Sequence, residues 1–209
     1  MSSENKNRLA VFGGSFNPVH LGHISLANEA IERELTDEVL FVPAAQPPHK
    51  IGQELADPTH RLNMLEKALV DYPDFSWSDY EIANCSKISY TIFTLRALQA
   101  AYPEKVIQLI IGMDNFVDMH NWRNFQEILD NYQVIIFTRP DTPKALFADV
   151  NERFGHRYTE KLLDSIIEVD YDISSTQIRE RLSNEANISD LVPSSVAKYI
   201  RDNKLYGAL

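Results

Sequence analysis

Residues 13–23 read Gly13-Gly14-Ser15-Phe16-Asn17-Pro18-Val19-His20-Leu21-Gly22-His23. A short apolar run, Leu9–Phe12, precedes them, and Leu21, Ile24, Leu26, Ala27, Ala30, Ile31 and Leu35 follow at close to helical spacing. The stretch is therefore a strand-to-helix turn. In a parallel α/β sheet such turns lie at the carboxyl ends of the strands, where ligands bind. Gly13 and Gly14 let backbone approach a ligand closely. The following helix offers N–H groups without intrahelical partners and the positive end of its dipole, both suited to phosphate. His20 and His23 share one face of its first turn, where two imidazoles can donate to phosphoryl oxygens.

The rest of the chain continues the alternation of strands and helices, with no internal repeat. Val39–Val42, Phe75–Ile82, Val106–Ile111, Val134–Phe137 and Ile166–Val169 read as further strands. Pro58–Tyr72 reads as a helix, with Asp57 as its cap and Pro58 in its first turn. Tyr90–Ala101, a segment around Phe125–Leu129, Ser174–Leu182 and Pro193–Asn203 read as helices too. Ala44–Asp57 reads as a loop, and residues 138–163, the least patterned part, as helix with loops. Strands that are continuously apolar and alternate with helices predict a doubly wound, mostly parallel sheet. Helices should cover both faces, with a C-terminal helical segment after the last strand. One domain over residues 1–209 is expected, with residues 1–7 as a polar, flexible N-terminus.

The formal charge of −10 disfavours binding to nucleic-acid backbones. It leaves room for an anionic small ligand, because surface charge is screened within about 8 Å at physiological salt. Cys85 is the only cysteine, so no disulfide forms within the chain, which fits a reducing compartment. No apolar run resembles a signal peptide or a membrane span, and a soluble, cytoplasmic protein is expected.

The opening stretch is neither Gly-x-x-x-x-Gly-Lys-Ser/Thr nor Gly-x-Gly-x-x-Gly. Zinc would need more ligands than the two histidines supply, and no third stands nearby. Alone, the stretch also suits a glycine-rich turn with two surface histidines. Far downstream lies Ile173-Ser174-Ser175-Thr176-Gln177-Ile178-Arg179. Ser174 or Ser175 can cap a helix whose apolar positions are Ile178 and Leu182, and Arg179 projects near the same end. Hydroxyls, free N–H groups and a guanidinium make a second anion cradle there. Alone, this segment suits equally a capped surface helix.

Together, His20-Leu21-Gly22-His23 and Ile173–Arg179 resemble the nucleotidyltransferase superfamily marked by His-x-Gly-His and Ile-Ser-Ser-Thr-x-x-Arg. Pro47-Pro48-His49-Lys50, Ser89-Tyr90-Thr91 and the run from Gly112 to Trp122 narrow the resemblance to bacterial nicotinate-nucleotide adenylyltransferases. It extends over nearly the whole chain, to Leu191-Val192-Pro193, and is weakest over residues 138–170. It implies a Rossmann-like domain whose residues 171–209 complete an ATP site. The implied reaction joins ATP and nicotinate mononucleotide into nicotinate adenine dinucleotide and pyrophosphate.

By this resemblance His20, His23 and Arg179 are catalytic, and Gly13, Gly14, Ser15, Phe16, Gly22, Gly112, Asp114, Ile173, Ser174 and Ser175 join them at ATP. Ser15, Phe16, His49, Lys50, Tyr90, Thr91, Trp122 and Arg123 would hold the mononucleotide. Trp122 can stack on the pyridine ring, backbone N–H groups near Thr91 and Arg123 would take its carboxylate, and His49 and Lys50 would belong to a mobile lid. Mg²⁺ should arrive with ATP and needs no protein cage. A homodimer is compatible with the resemblance. The same cradles suit nicotinamide mononucleotide, phosphopantetheine or a non-catalytic ATP sensor; Trp122 and Ser89–Thr91 favour a pyridine nucleotide. His60, His120 and His156 show no partner pattern, Glu29, Glu32 and Glu34 read as a solvated face, and Arg61 as structural.

Overall fold

The computed structural model describes residues 7–46, 55–84, 89–138 and 149–208. His49, Lys50 and Cys85 lie outside them. The strands are β1 (Arg8–Gly14), β2 (Glu38–Pro43), β3 (Phe75–Trp77), β4 (Val106–Gly112), β5 (Gln133–Thr138) and β6 (Ile166–Glu168). They form a sheet in the order β3-β2-β1-β4-β5-β6, and every neighbouring pair is parallel. The chain winds outward from β1 to β3, returns to β4, and winds outward again to β6. The direction of winding reverses between β1 and β4, which is where a doubly wound sheet opens a crevice for ligands.

Each central strand is buried on both faces. In β1, Ala10 and Phe12 join one core cluster while Leu9 and Val11 join the other. The first cluster is closed by helices α1 (Leu21–Glu32) and α2 (Pro58–Leu69), and by two late helices, Ser175–Ser183 and Ser194–Asp202. The second is closed by α4 (Thr91–Ala101), α5 (Met113–Asp118), α6 (Phe125–Asn131), α7 (Val150–Phe154) and α8 (His156–Asp164). The late helices are α9 and α10 respectively; α3 (Tyr80–Asn84) is a short helix between β3 and α4. The apolar stripes supply the contacts: Ile24, Ala27 and Ala30 from α1, and Ile92, Leu95 and Leu98 from α4.

Two segments depart from the sequence pattern. The alternation over Phe75–Ile82 suggested one strand, but pairing stops at Trp77. The Ser78 N–H closes on the Phe41 carbonyl at 2.9 Å, and the Ser78 hydroxyl oxygen accepts from the Tyr80 N–H at 3.2 Å, starting α3. Between β4 and α6, α5 begins at Met113, directly after the last residue of β4, with no intervening turn. Among the described residues no helix is long and apolar enough to cross a membrane.

Candidate active site

A cleft of about 1150 Å³ opens over the carboxyl ends of β1 and β4. It exceeds the ~300–1,000 Å³ common for one small ligand, so it has room for two nucleotides. Gly13, Gly14 and Ser15 line it from the end of β1, and Gly112 and Asp114 from the end of β4. Tyr90 and Thr91 enter at the start of α4, Trp122 and Arg123 beyond α5, and Ile173, Ser174, Ser175 and Arg179 at the start of α9. His20, Gly22 and His23 line it as well. A Cβ built on Gly13 or Gly112 meets nothing within 4 Å, so at both strand ends bare backbone faces open space.

Phe16 is the exception among the expected residues. It is not part of the lining; its ring is buried against Phe12, Phe41 and His23, with centroids 5.8, 5.6 and 4.9 Å away. It adopts φ 43°, and its ring occupies the space beside Gly14, where a Cβ would sit 3.1 Å from it. Phe16 shapes the turn from underneath.

The two histidines lock each other. His20 is the N-cap of α1 and its Nδ1 accepts from the His23 N–H at 3.3 Å; the His23 Nδ1 accepts from the His20 N–H, also at 3.3 Å. The rings stack with centroids 3.6 Å apart. An Nδ1 that accepts must be unprotonated, so each neutral ring carries its proton on Nε2. Both Nε2–H groups are then donors, as an anion site requires. Gly22 makes this fit possible: a Cβ there would lie 3.1 Å from the His20 Nδ1 and 3.3 Å from the Ile173 Cβ.

Ile173 belongs to the second segment, and further bonds clamp that segment to the first. The Ser175 hydroxyl donates to the Pro18 carbonyl at 2.9 Å, and the Arg179 guanidinium to the Asn17 carbonyl at 2.8 Å and to the Thr176 hydroxyl at 3.1 Å. Ser174, rather than Ser175, is the cap, accepting from the Gln177 N–H at 3.2 Å. The N-terminal ends of α1 and α9 therefore converge on one cleft, 162 residues apart in sequence at the Asn17–Arg179 contact.

At the opposite end, half-buried Trp122 packs against the second core cluster; its Nε1 is buried and finds no partner among the described residues. The Arg123 guanidinium lies over the rings of Tyr90 and Phe93, 5.2 and 5.1 Å from their centroids. This cation–π contact ties the Trp122 segment to the start of α4. Tyr90 is the N-cap of α4 and supplies no side-chain cap bond.

Three residues outside the expected site help to build it, among them Arg61, which the sequence marked as structural. Asn17, within the opening stretch, accepts on its side-chain oxygen from the Ala56 N–H at 3.0 Å and the Tyr206 hydroxyl at 2.8 Å; its peptide bond to Pro18 is cis. Burial pushes the Tyr206 hydroxyl pKa far above the ordinary tyrosine range. Arg61 is 1% exposed and donates to the carbonyls of Ala56 (3.1 Å), Ser15 (2.9 Å) and Ala44 (2.8 Å), framing the ends of β1 and β2. Burial draws its pKa down. The third is Glu81, a buried carboxyl in α3 that borders the cleft and whose pKa burial pushes up. Among the remaining histidines, His60 meets the Tyr199 hydroxyl at 3.0 Å and His120 the Val117 carbonyl at 3.1 Å.

Residues 11–181 match the model of the family described as cytidylyltransferase-like. The chain belongs to that family. A relative from Carboxydothermus hydrogenoformans, named "Probable nicotinate-nucleotide adenylyltransferase", is 36% identical over 200 residues, covering 95% of this chain and 98% of its own. One of the same name from Bacteroides thetaiotaomicron is 38% identical over 202 residues, covering 97% and 95%. Among solved structures, the Plasmodium falciparum nicotinic acid mononucleotide adenylyltransferase complexed with NaAD superposes with a TM-score of 0.74 at 18% identity, over 96% of this chain and 97% of that one. That likeness establishes the Rossmann-like nucleotidyltransferase fold.

Proposed function

We propose that this chain is a nicotinate-nucleotide adenylyltransferase. It moves the adenylyl group of ATP onto nicotinate mononucleotide, forming nicotinate adenine dinucleotide and releasing pyrophosphate. The observation that carries this is the convergence of the locked histidine pair and the Ser174–Arg179 helix start on one cleft, with Trp122 at its far end. Relatives over nearly the full length that bear this enzyme's name support the same activity.

The mononucleotide phosphate is already an anion, so its oxygen attacks the α-phosphorus without a protein nucleophile or a strong base. A new P–O bond forms in line, the bond to the bridging oxygen breaks, and its electron pair leaves with pyrophosphate. Catalysis then consists of positioning and charge stabilisation. His23 Nε2–H donates to the α-phosphoryl oxygen, where charge builds up. His20 orients the neighbouring phosphates. The first N–H groups of α9 and the unused donors of Arg179 hold the β- and γ-phosphates, drawing the leaving group away from the incoming oxygen. Gly13, Gly14 and Gly112 admit the nucleotide to the strand ends, and Asp114 serves a ribose hydroxyl.

Among the described residues no group of three or more His, Cys, Asp or Glu side chains could hold a metal ion. Asp114, Asp170 and Asp172 border the cleft. This donor set fits a Mg²⁺ carried by ATP phosphates and water, which would neutralise charge on the departing pyrophosphate. At the other end, Trp122 stacks on the pyridine, and N–H groups near Thr91 and Arg123 receive its carboxylate.

Initial rates of pyrophosphate release test the proposal, with Mg-ATP and nicotinate mononucleotide, nicotinamide mononucleotide or phosphopantetheine as acceptor. The highest kcat/KM is expected with nicotinate mononucleotide. ATP binding without turnover, or preference for phosphopantetheine, would overturn it.

A further inference from the structure

Glu81 is 6% exposed, and no cation holds it among the described residues. Hydroxyls do. The Thr94 hydroxyl, in the first turn of α4, bonds its Oε1 at 2.6 Å. The Ser89 side chain also favours its charged form, against the burial that pushes its pKa up. The Ser89 hydroxyl oxygen accepts from the Ala45 and Gln46 N–H groups at 2.9 and 3.4 Å, which occupies its lone pairs and leaves it a proton to donate. The Ser89 N–H closes the ring on the Gln46 carbonyl at 3.0 Å. The end of β2, Ser89, Glu81 and the first turn of α4 thus meet in one polar cluster.

Burying a carboxyl is costly, and an apolar side chain would fill the same volume more cheaply. What the carboxyl adds is direction: it fixes two hydroxyls and the segment between them. That segment contains Tyr90 and Thr91, where α4 starts without a side-chain cap. We propose that Glu81 is a positioning residue for the mononucleotide: through Ser89 and Thr94 it holds the Tyr90–Thr91 N–H groups in the orientation that receives the pyridine carboxylate. This deepens the proposed function and rests on it.

Glu81→Gln keeps the shape but turns an amide NH₂ toward a hydroxyl whose lone pairs are occupied. The KM for nicotinate mononucleotide should rise about tenfold, with kcat and the ATP KM within about twofold of wild type. Ser89→Ala should give the same split. Because both act through one network, the double variant should be no worse than the weaker single variant. A role confined to folding would lower the melting temperature and leave both KM values alike. An unchanged mononucleotide KM in folded Glu81→Gln, a parallel rise for ATP, or additivity in the double variant would refute the proposal. Should Glu81→Gln fail to fold, Ser89→Ala and Thr94→Val decide: a normal mononucleotide KM in both refutes it. Wild-type protein that does not adenylylate nicotinate mononucleotide would instead remove the underlying function, an outcome read before any variant is made.

Discussion

Replacing His23 with alanine separates catalysis from folding, because the structure assigns the two ring nitrogens different tasks. Nδ1 accepts from the His20 N–H at 3.3 Å, one half of the reciprocal cap of α1. Losing a cap acceptor costs about 1 kcal/mol. In a chain of this size that lowers Tm by roughly 2–4 °C. Nε2 is the proposed donor to the α-phosphoryl oxygen. Removing one such preorganised donor typically lowers kcat by about 10²–10³, equivalent to about 2.7–4 kcal/mol. The loss of transition-state stabilisation should thus exceed the loss of folding stability about three- to fourfold. Calorimetry gives the first quantity and pyrophosphate release at saturating substrates the second. A folded His23→Ala protein with kcat within about tenfold of wild type would refute the assignment.

Further outcomes follow from the same contacts. Arg61→Met strips donors from the carbonyls of Ser15, Ala44 and Ala56, and unfolding should become easier by about 3 kcal/mol; a loss under about 1 kcal/mol in denaturant titration would contradict the bracing role. Trp122→Ala should raise the mononucleotide KM up to about tenfold while leaving the ATP KM within about twofold, and unchanged mononucleotide affinity would count against stacking. Asp37 is held below the ordinary carboxylate range by hydrogen bonds from the Arg8 side chain and N–H, at 2.8 Å from both NH2 and N. The folded state therefore binds fewer protons there than the unfolded state; the stability is present above the unfolded pKa and is lost as pH falls through the folded one. Asp37→Asn should flatten the fall in Tm below about pH 4, and an acid limb as steep as wild type would disprove the linkage.

The parallel sheet was legible because strands buried on both faces become unbroken apolar runs, as in Val106–Ile111 and Val134–Phe137. The pattern misled where it was short: Phe75–Ile82 alternates, yet one serine, Ser78, converts its second half to helix. For the site, spacing placed His20 and His23 on one face, but the direction of each Nδ1 depends on ring rotation, which spacing does not encode. Phe16, expected to shape the turn mainly through its backbone, keeps its ring in the core. The contacts of Arg61 and Glu81 were invisible for a different reason. Their partners are carbonyls and hydroxyls from separate segments, such as Ser15, 46 residues from Arg61, and such partners leave no mark in local composition. Asn17 stood in plain view, but its roles run to Ala56, Arg179 and Tyr206.

The central claim is that the first and last parts of the chain hold a single triphosphate between them. A crystal structure with a non-hydrolysable α,β-methylene ATP analogue tests it most directly. The account predicts both histidine Nε2 atoms against the inner phosphates, and the start of α9 with Arg179 against the outer ones of that same molecule. An analogue bound by only one of the two segments, or lodged elsewhere on the sheet, would contradict it.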